Sequence, residues 1–301
     1  MCDLRECQVD AGKLRHQTRI NDVLYHIHSD ISAPLNAKDL AKVAAYSTYH
    51  FHRVFKEVTG ENLNDYIRRS RLERAANLLI YEPSSNVLEV ASRCGFLSHA
   101  SFTHAFKKQF GSSPREWRNG GYSHYKQAHS DVKRRDIEAL GEELKLPAVT
   151  IRHIKAWRVA YVRHQGYDRS ICEAWGLLQQ WALKHCIDFQ RAQMLGLHPS
   201  NPDIVPLDRC RYLACIEVDE TVWRQGKVGV MMIPSGMHAV IEASGRLGDL
   251  LPVLHAFYHR WLPQSGYQLG QTPAYAIYRR NQFLDENEIF ELEYAVPIVA
   301  V

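Results

Sequence analysis

The stretch GFLSHASFTHAFKKQFGSSPREWR, residues 95–118, decides the reading of the N-terminal third of the chain. Phe102, Phe106 and Phe110 recur every fourth residue and therefore share one helix face. Ser98 stands where an N-cap belongs and Gly111 where a helix ends, which predicts a helix over His99–Phe110. With the Phe face inward, a turn of about 100° per residue sets Ala100, Thr103, His104 and Lys107 outward, with His99 at the exposed N-terminal end. One side is heavily apolar and the other small, polar and cationic, as suits a helix that lies in a groove.

The same arrangement occurs earlier in the chain. LAKVAAYSTYHFHRVFKEVTGENLNDY, residues 40–66, aligns with residues 90–117. Ala41 matches Ala91 and Tyr46 matches Phe96. After one inserted residue, Ser47 matches Ser98, Phe51 matches Phe102, Phe55 matches Phe106, Lys56 matches Lys107, Gly60 matches Gly111 and Tyr66 matches Trp117. The outward set of the earlier copy is Tyr49, His52, Arg53 and Lys56. Each copy is helix, short turn, capped helix: a helix-turn-helix unit.

Between the copies the pattern predicts a helix over residues 63–80, broken by Pro83, Ser84 and Ser85 and carrying Arg68, Arg69, Arg71 and Arg74. At about 27 Å it is long enough to hold two recognition helices near the ~34 Å that separates successive major grooves. Arg, His and Thr can hydrogen-bond base edges, and Ala100 admits close approach to a thymine methyl. The arginines of the connecting helix suit phosphates instead.

Charge agrees with this division. The formal excess of four positive charges lies wholly within residues 1–120, and the remainder is balanced. No apolar run approaches the length of a membrane span, and MCDLRECQVDAGKLRHQ lacks the apolar core of a signal peptide. Seven Cys, an odd number without a C-x-x-C pair, read as reduced thiols, so a cytoplasmic protein is expected. His26 with His28 and His50 with His52 sit two apart, on different helix faces, and no Cys or His group has zinc-ligand spacing; no metal or cofactor is expected.

Residues 1–18 read as a tail and 122–146, charged and without apolar periodicity, as a linker with room for some helix. From Pro147 to the end the character changes. Strand-like runs VTIRHI, RVAYVRH, YLACIEV, KVGVMMI, HAVIEA, AYAIYRR and FELEYAV alternate with helical stretches over 170–184 and 249–262. This region repeats at an offset of 79: Ile154 with Ile233, Ala160 with Ala239, Val162 with Ile241 and Gly166 with Gly245, each glycine preceding a helix. The expected chain is multidomain, an all-α N-terminal domain followed by an α+β domain of two pseudo-repeats.

Residues 19–121 resemble the DNA-binding domain of AraC/XylS-type transcriptional regulators. FTHAFKKQFGSSPREWR fits that family's pattern F-x-x-x-F-K-x-x-x-G-x-x-P-x-x-[YW]-R from Phe102 to Arg118. The resemblance implies that Tyr49, His52, Arg53, His99, Ala100, Ser101, Thr103 and His104 face bases of double-stranded DNA. Lys56, Arg68, Arg71, Arg74 and Lys107 are then expected at phosphates. Residues 147–301 resemble the GyrI-like effector-binding domain through RVAYVRHQGYDRS, RYLACIEVDE, GKVGVMMIPSGMHAVIEASG, HRWLPQSGYQ and ELEYAVPI. That resemblance implies a small-molecule cleft between the pseudo-repeats, with Tyr161, Trp175, Tyr212, Tyr258, Trp261, Tyr275 and Tyr278 as the pool for its aromatic walls.

One departure bears on chemistry. The family commonly carries Glu in P-x-[FY]-E-x-Y, where this chain reads PAYAIY with Ala276 in its place; Glu291 and Glu293 are the nearest substitutes. The whole implies a ligand-responsive transcription factor, not an enzyme, whose second domain alters operator affinity or contact with RNA polymerase. The alternatives are a hydrolase or drug-sequestering domain tethered to DNA, which the missing Glu disfavours, and a second domain used only for protein contacts.

Overall fold

The computed structural model describes residues 4–82, 84–129 and 139–300. Residues 130–138 of the charged stretch and the helix-breaking Pro83 lie outside the described residues, as do 1–3 and 301. The N-terminal part is helical: α1 (Leu4–Ser29), α2 (Ala37–Val43), α3 (Thr48–Thr59), α4 (Leu63–Tyr81), α5 (Val87–Arg93), α6 (His99–Phe110), a short α7 (Pro114–Glu116) and α8 (Tyr122–His129), the last two joined through a wide turn over Trp117–Gly121.

Two separate cores share α4. Ile20, Val23 and Ile27 of α1 pack with Leu40, Phe51, Phe55 and Ile67 to form the first. Leu72, Ala76 and Leu79 pack with Val90, Phe102, Phe106, Phe110 and Trp117 to form the second. The units repeat down to their caps. Asn36 and Asn86 cap the first helix of each, and Ser47 and Ser98 the second. Gly60 and Gly111 end the second helices at φ +79° and +77°, in the left-handed conformation that glycine tolerates best. Arg71 joins the units: its guanidinium donates to the carbonyls of Ile31 (2.9 Å), Ala33 (2.7 Å) and Gly95 (2.9 Å).

The C-terminal part consists of β1 (Val149–Ile154), β2 (Trp157–Gln165), α9 (Ile171–Lys184), β3 (Met194–His198), β4 (Arg211–Glu217), β5 (Val228–Ile233), β6 (Gly236–Arg246), α10 (Leu250–Ala256), β7 (Tyr267–Leu269), β8 (Ala274–Arg280) and β9 (Ile289–Ala300). They form one antiparallel sheet in the order β1-β6-β9-β8-β3-β4-β2-β5, with β7 added on β9. Exchanging β1 with β5, β2 with β6, β3 with β8 and β4 with β9 leaves this order unchanged, so the sequence repeat is a pseudo-twofold of the fold. At its centre β3 pairs with β8, and Gly196 lies opposite Ala276.

Each sheet face has its own core. Under α9 and α10 lie Ala160, Val162, Trp175, Leu178, Tyr212, Ala276, Tyr278 and Tyr294. On the other face lie Val159, Tyr161, Leu195, Leu213, Val240 and Tyr275.

Two expected boundaries differ from the structure. The helix begins at Leu4, where a tail to residue 18 was expected, and its middle turns meet the C-terminal domain. Thr18 Oγ1 donates to the Gly226 carbonyl (3.0 Å), Asn21 Nδ2 to that of Lys227 (3.4 Å), and Asp22 pairs with Arg224 (3.2 Å). The expected linker opens with α8, whose Tyr122 and Tyr125 pack against the second helical core. The apolar periodicity of α1 is confined to Ile20–Ile27, and α8 contributes only Tyr122 and Tyr125 to the core, so neither extension is marked by a full apolar stripe. No helix among the described residues is long and apolar enough to cross a membrane.

Candidate nucleic-acid interface

The recognition faces follow from what the two capped helices bury. On α3, Phe51, Val54 and Phe55 are buried, which turns His52, Arg53 and Lys56 outward; Tyr49 is 86% exposed. Arg53 Nη2 lies 3.3 Å from His50 Nδ1, and His50 packs edge-on against Tyr46. On α6, Phe102, Phe106 and Phe110 are buried, and His99, Ala100, Ser101, His104 and Lys107 are exposed. His99, Ala100, Thr103, His104, Lys107 and Lys108 line one shallow open concavity. Thr103 is half-buried, and its hydroxyl has no partner among the described residues. Ser101 Oγ donates to the Ser98 carbonyl (2.9 Å), so its hydroxyl already serves the helix start.

The arginines of α4 divide. Arg68 is exposed and pairs with Asp65 (2.5 Å). Arg74 is half-buried. Arg71, expected at a phosphate, spends its guanidinium on three backbone carbonyls and serves the packing of the two units. Gly95 is part of this arrangement: at φ +77°, a Cβ there would meet the Arg71 guanidinium and the Ser32 carbonyl at 2.8 Å.

In the C-terminal domain the expected wall residues split between the two faces. Trp175, Tyr212, Tyr258, Trp261 and Tyr278 belong to the helix-covered side, where the Tyr212 and Tyr278 hydroxyls are 3.2 Å apart and Trp175 meets Tyr278 edge-on. Tyr161 and Tyr275 lie on the opposite face; Tyr161 Oη donates to the Asn21 carbonyl of α1 (3.5 Å), and Tyr275 packs on His238. Glu293 alternates with the buried Leu292 and Tyr294, and pairs with Arg152 and with Arg279 (2.8 Å). It therefore stands away from the helix-side aromatics and does not take the place of a carboxylate at position 276. Strand alternation is the reason: residues an odd number apart, such as 275 and 278, face opposite ways.

His198 joins the helix-side group, packed against Tyr167, Tyr212 and Tyr294, and its Nδ1 has no partner among the described residues. Burial pushes its pKa down to about 4, and burial with the neighbouring Arg211 pushes His28 well down too. Both rings are neutral in the folded chain, whereas the unfolded chain takes up protons near pH 6.5. Stability therefore falls as pH drops from 6.5 towards 4. His198 alone is expected to cost about 2 kcal/mol between pH 7 and pH 5. Unfolding free energies of the parent chain and His198→Phe at those two pH values check this; a parent equally stable at both would refute it.

Residues that sequence patterns did not single out join the two domains. Arg211, at the start of β4, donates to Tyr66 Oη (3.2 Å), Ser70 Oγ (3.4 Å) and Glu73 Oε2 (2.9 Å). Tyr81, at the end of α4, packs on Tyr258 and His259, and its hydroxyl accepts from Asn201 (3.2 Å). An arginine opening an otherwise apolar strand was the one available signal.

Two helix-turn-helix units on a shared helix, joined to a duplicated antiparallel sheet, define a DNA-binding regulator with an appended ligand-binding domain. Residues 40–120 match the helix-turn-helix domain family, and residues 147–299 match the GyrI-like small molecule binding domain. The chain belongs to the AraC-type transcription regulators that carry a GyrI-like domain. It is 33% identical over 106 residues to the regulatory protein SoxS of Escherichia coli K12, covering 35% of this chain and 98% of SoxS. It is 35% identical over 104 residues to the probable transcription factor PqrA of Proteus vulgaris, covering 34% and 84%. The right origin-binding protein of E. coli K12 is 36% identical over 99 residues, 33% of this chain and 34% of that one.

Proposed function

We propose that this regulator reads an asymmetric operator with α3 and α6 in successive major grooves and responds to a small molecule through its GyrI-like domain. The carrying observation is the pair of exposed, polar, cationic faces on two identically capped helices, each set by a buried Phe row. Tyr49, His52 and Arg53 take base edges in one groove; His99, Ala100, Thr103 and His104 take them in the other, with Ser101 at the helix start. Lys56, Lys107, Arg68 and Arg74 supply phosphate contacts, which place the protein without reading sequence. Arg71 leaves that set.

The effector belongs to the helix-side aromatic group. With Ala276 at the sheet centre and Glu293 paired to arginines on the other face, a neutral or anionic aromatic fits better than a cation. The same domain provides the surface for any contact with RNA polymerase. Its role is recognition, with no catalytic step assigned, in the cytoplasm where the DNA is.

Arg53→Ala and His104→Ala are each expected to reduce discrimination between operator and random DNA by about 1–3 kcal/mol, with little change in non-specific affinity. A competition binding assay reads the ratio. An unchanged ratio in both variants would remove these helices from base reading.

A further inference from the structure

The chain between β3 and β4, residues 199–210, is held to its own domain by Gly166 and Tyr167, whose N–H groups donate to the Cys210 and Leu207 carbonyls, yet it also reaches into the helical domain. Ile204, Val205 and Cys210 are buried in the core of the second helix-turn-helix unit, beside Trp117 and Phe110. Tyr125 Oη donates to the Ile204 carbonyl (3.2 Å), fixing the same stretch to α8. At residue 211 the contact changes unit. The largely buried Arg211 side chain reaches Tyr66, Ser70 and Glu73 on α4, and its Nη1 lies 3.1 Å from His28 Nε2 on α1. Tyr66 belongs to the first core, and His28 hydrogen-bonds to it (2.7 Å). Glu73 is shared, since Arg69 also donates to it (2.7 Å). A segment of the effector domain thus holds the second unit by apolar burial at one end and the first by a charge-assisted network at the other.

Resting on the DNA-reading role of α3 and α6, we infer that the β3–β4 segment of the GyrI-like domain is a splint that sets the relative placement of the two recognition helices, and so determines which half-site spacing the protein accepts. Without it, the two cores are joined directly by α4 and the Arg71 contacts, and otherwise only through the body of the sheet domain, which α1 meets at Arg224–Lys227 and Tyr81 at Tyr258, among the described residues. The splint also starts and ends in the effector domain's aromatic group: His198 is the last residue of β3, and Tyr212 follows Arg211 directly. A change at His198 or Tyr212 therefore reaches both ends of the segment through adjoining backbone.

The test uses the full chain and duplex DNA. Operator sequence is first obtained by selection from random duplexes. Affinity is then measured for that sequence and for the same sequence with one base pair inserted between half-sites, which turns one half-site by about 35° relative to the other. The parent is expected to lose at least tenfold on insertion. Two variants slacken the splint: Arg211→Met, and a Gly-Gly insertion between Leu207 and Asp208, at an exposed turn of the segment that leaves both anchors in place. In each the penalty is expected to fall below about threefold, while affinity for the selected sequence changes by less than threefold. Should Arg211→Met fail to fold, judged by its helical circular dichroism, the insertion variant alone decides. Folded variants that keep the parent's penalty overturn the splint and leave the DNA-reading role standing. A parent chain that enriches no sequence overturns the DNA-reading role itself.

Discussion

Replacing Trp117 by Ala is expected to unfold the second helix-turn-helix unit while leaving the first intact. The Trp117 side chain is fully buried, touches Phe106, Phe110, Tyr122 and Tyr125, and donates its indole N–H to the Ala76 carbonyl (3.3 Å). It therefore joins α4, α6 and α8 at one point. Removing a buried Trp costs about 3–5 kcal/mol, partly through the lost transfer energy and partly through the cavity left behind. The first core draws on other residues, from Ile20 to Ile67, so its stability does not depend on this ring. Amide hydrogen exchange separates the outcomes. Protection is expected to fall across Val87–Phe110 and to persist in α1 and α3, with operator binding lost at the same time. A uniform fall across both units would show that the cores are one cooperative body.

Ala276→Glu is expected to destabilise the C-terminal domain by at least about 3 kcal/mol, through overpacking and burial of a carboxyl group. Ala276 is fully buried beside Gly196, above which the Tyr212 hydroxyl and the Tyr278 ring already stand: a Cβ on Gly196 would fall 2.3 Å from one and 2.9 Å from the other. The Tyr212 and Tyr278 hydroxyls are engaged with each other, which leaves only one O–H of the two to donate, so a carboxylate arriving there finds at most one donor from them without breaking the pair. Burial favours the protonated form, and the penalty is expected to be smaller at pH 5 than at pH 8. Thermal unfolding of the full chain gives the shift, roughly 6–12 °C at about 2–4 °C per kcal/mol for a domain of this size. A variant as stable as the parent would mean that the sheet centre has room for the side chain, and a cationic ligand would return as the better fit.

Local chemistry was legible in the sequence where a helix buries one face. The Phe rows, the Ser caps and the closing glycines of α3 and α6 each act within a dozen residues, and the structure has the helices where these signals place them. The offset of 79 likewise reappears in β1 and β5, whose first residues are Val149 and Val228. β3 was not legible. MLGLH is five residues long, central in the sheet and covered on both faces, so it has no alternation to show and carries a glycine besides. Arg71 was read as one of four arginines on the connecting helix, yet its role comes from carbonyls at Ile31 and Gly95, far away in sequence. The pool of aromatic wall residues divides between two faces for a different reason: composition names candidates, and only strand phase says which of them share a side.

The palindromic strand order makes the two sheet halves mutually dependent. β1 precedes β2 in the chain but pairs with β6, and β5 precedes β6 but pairs with β2. Each half lends its leading strand to the other and takes one in return. The domain is in effect a strand-swapped dimer written into a single polypeptide, and neither half owns a complete edge. The equivalents Gly196 and Ala276 meet where the two copies face one another, on the axis of that internal dimer. A substitution there acts on both partners at once, whereas one elsewhere in the sheet falls within a single copy.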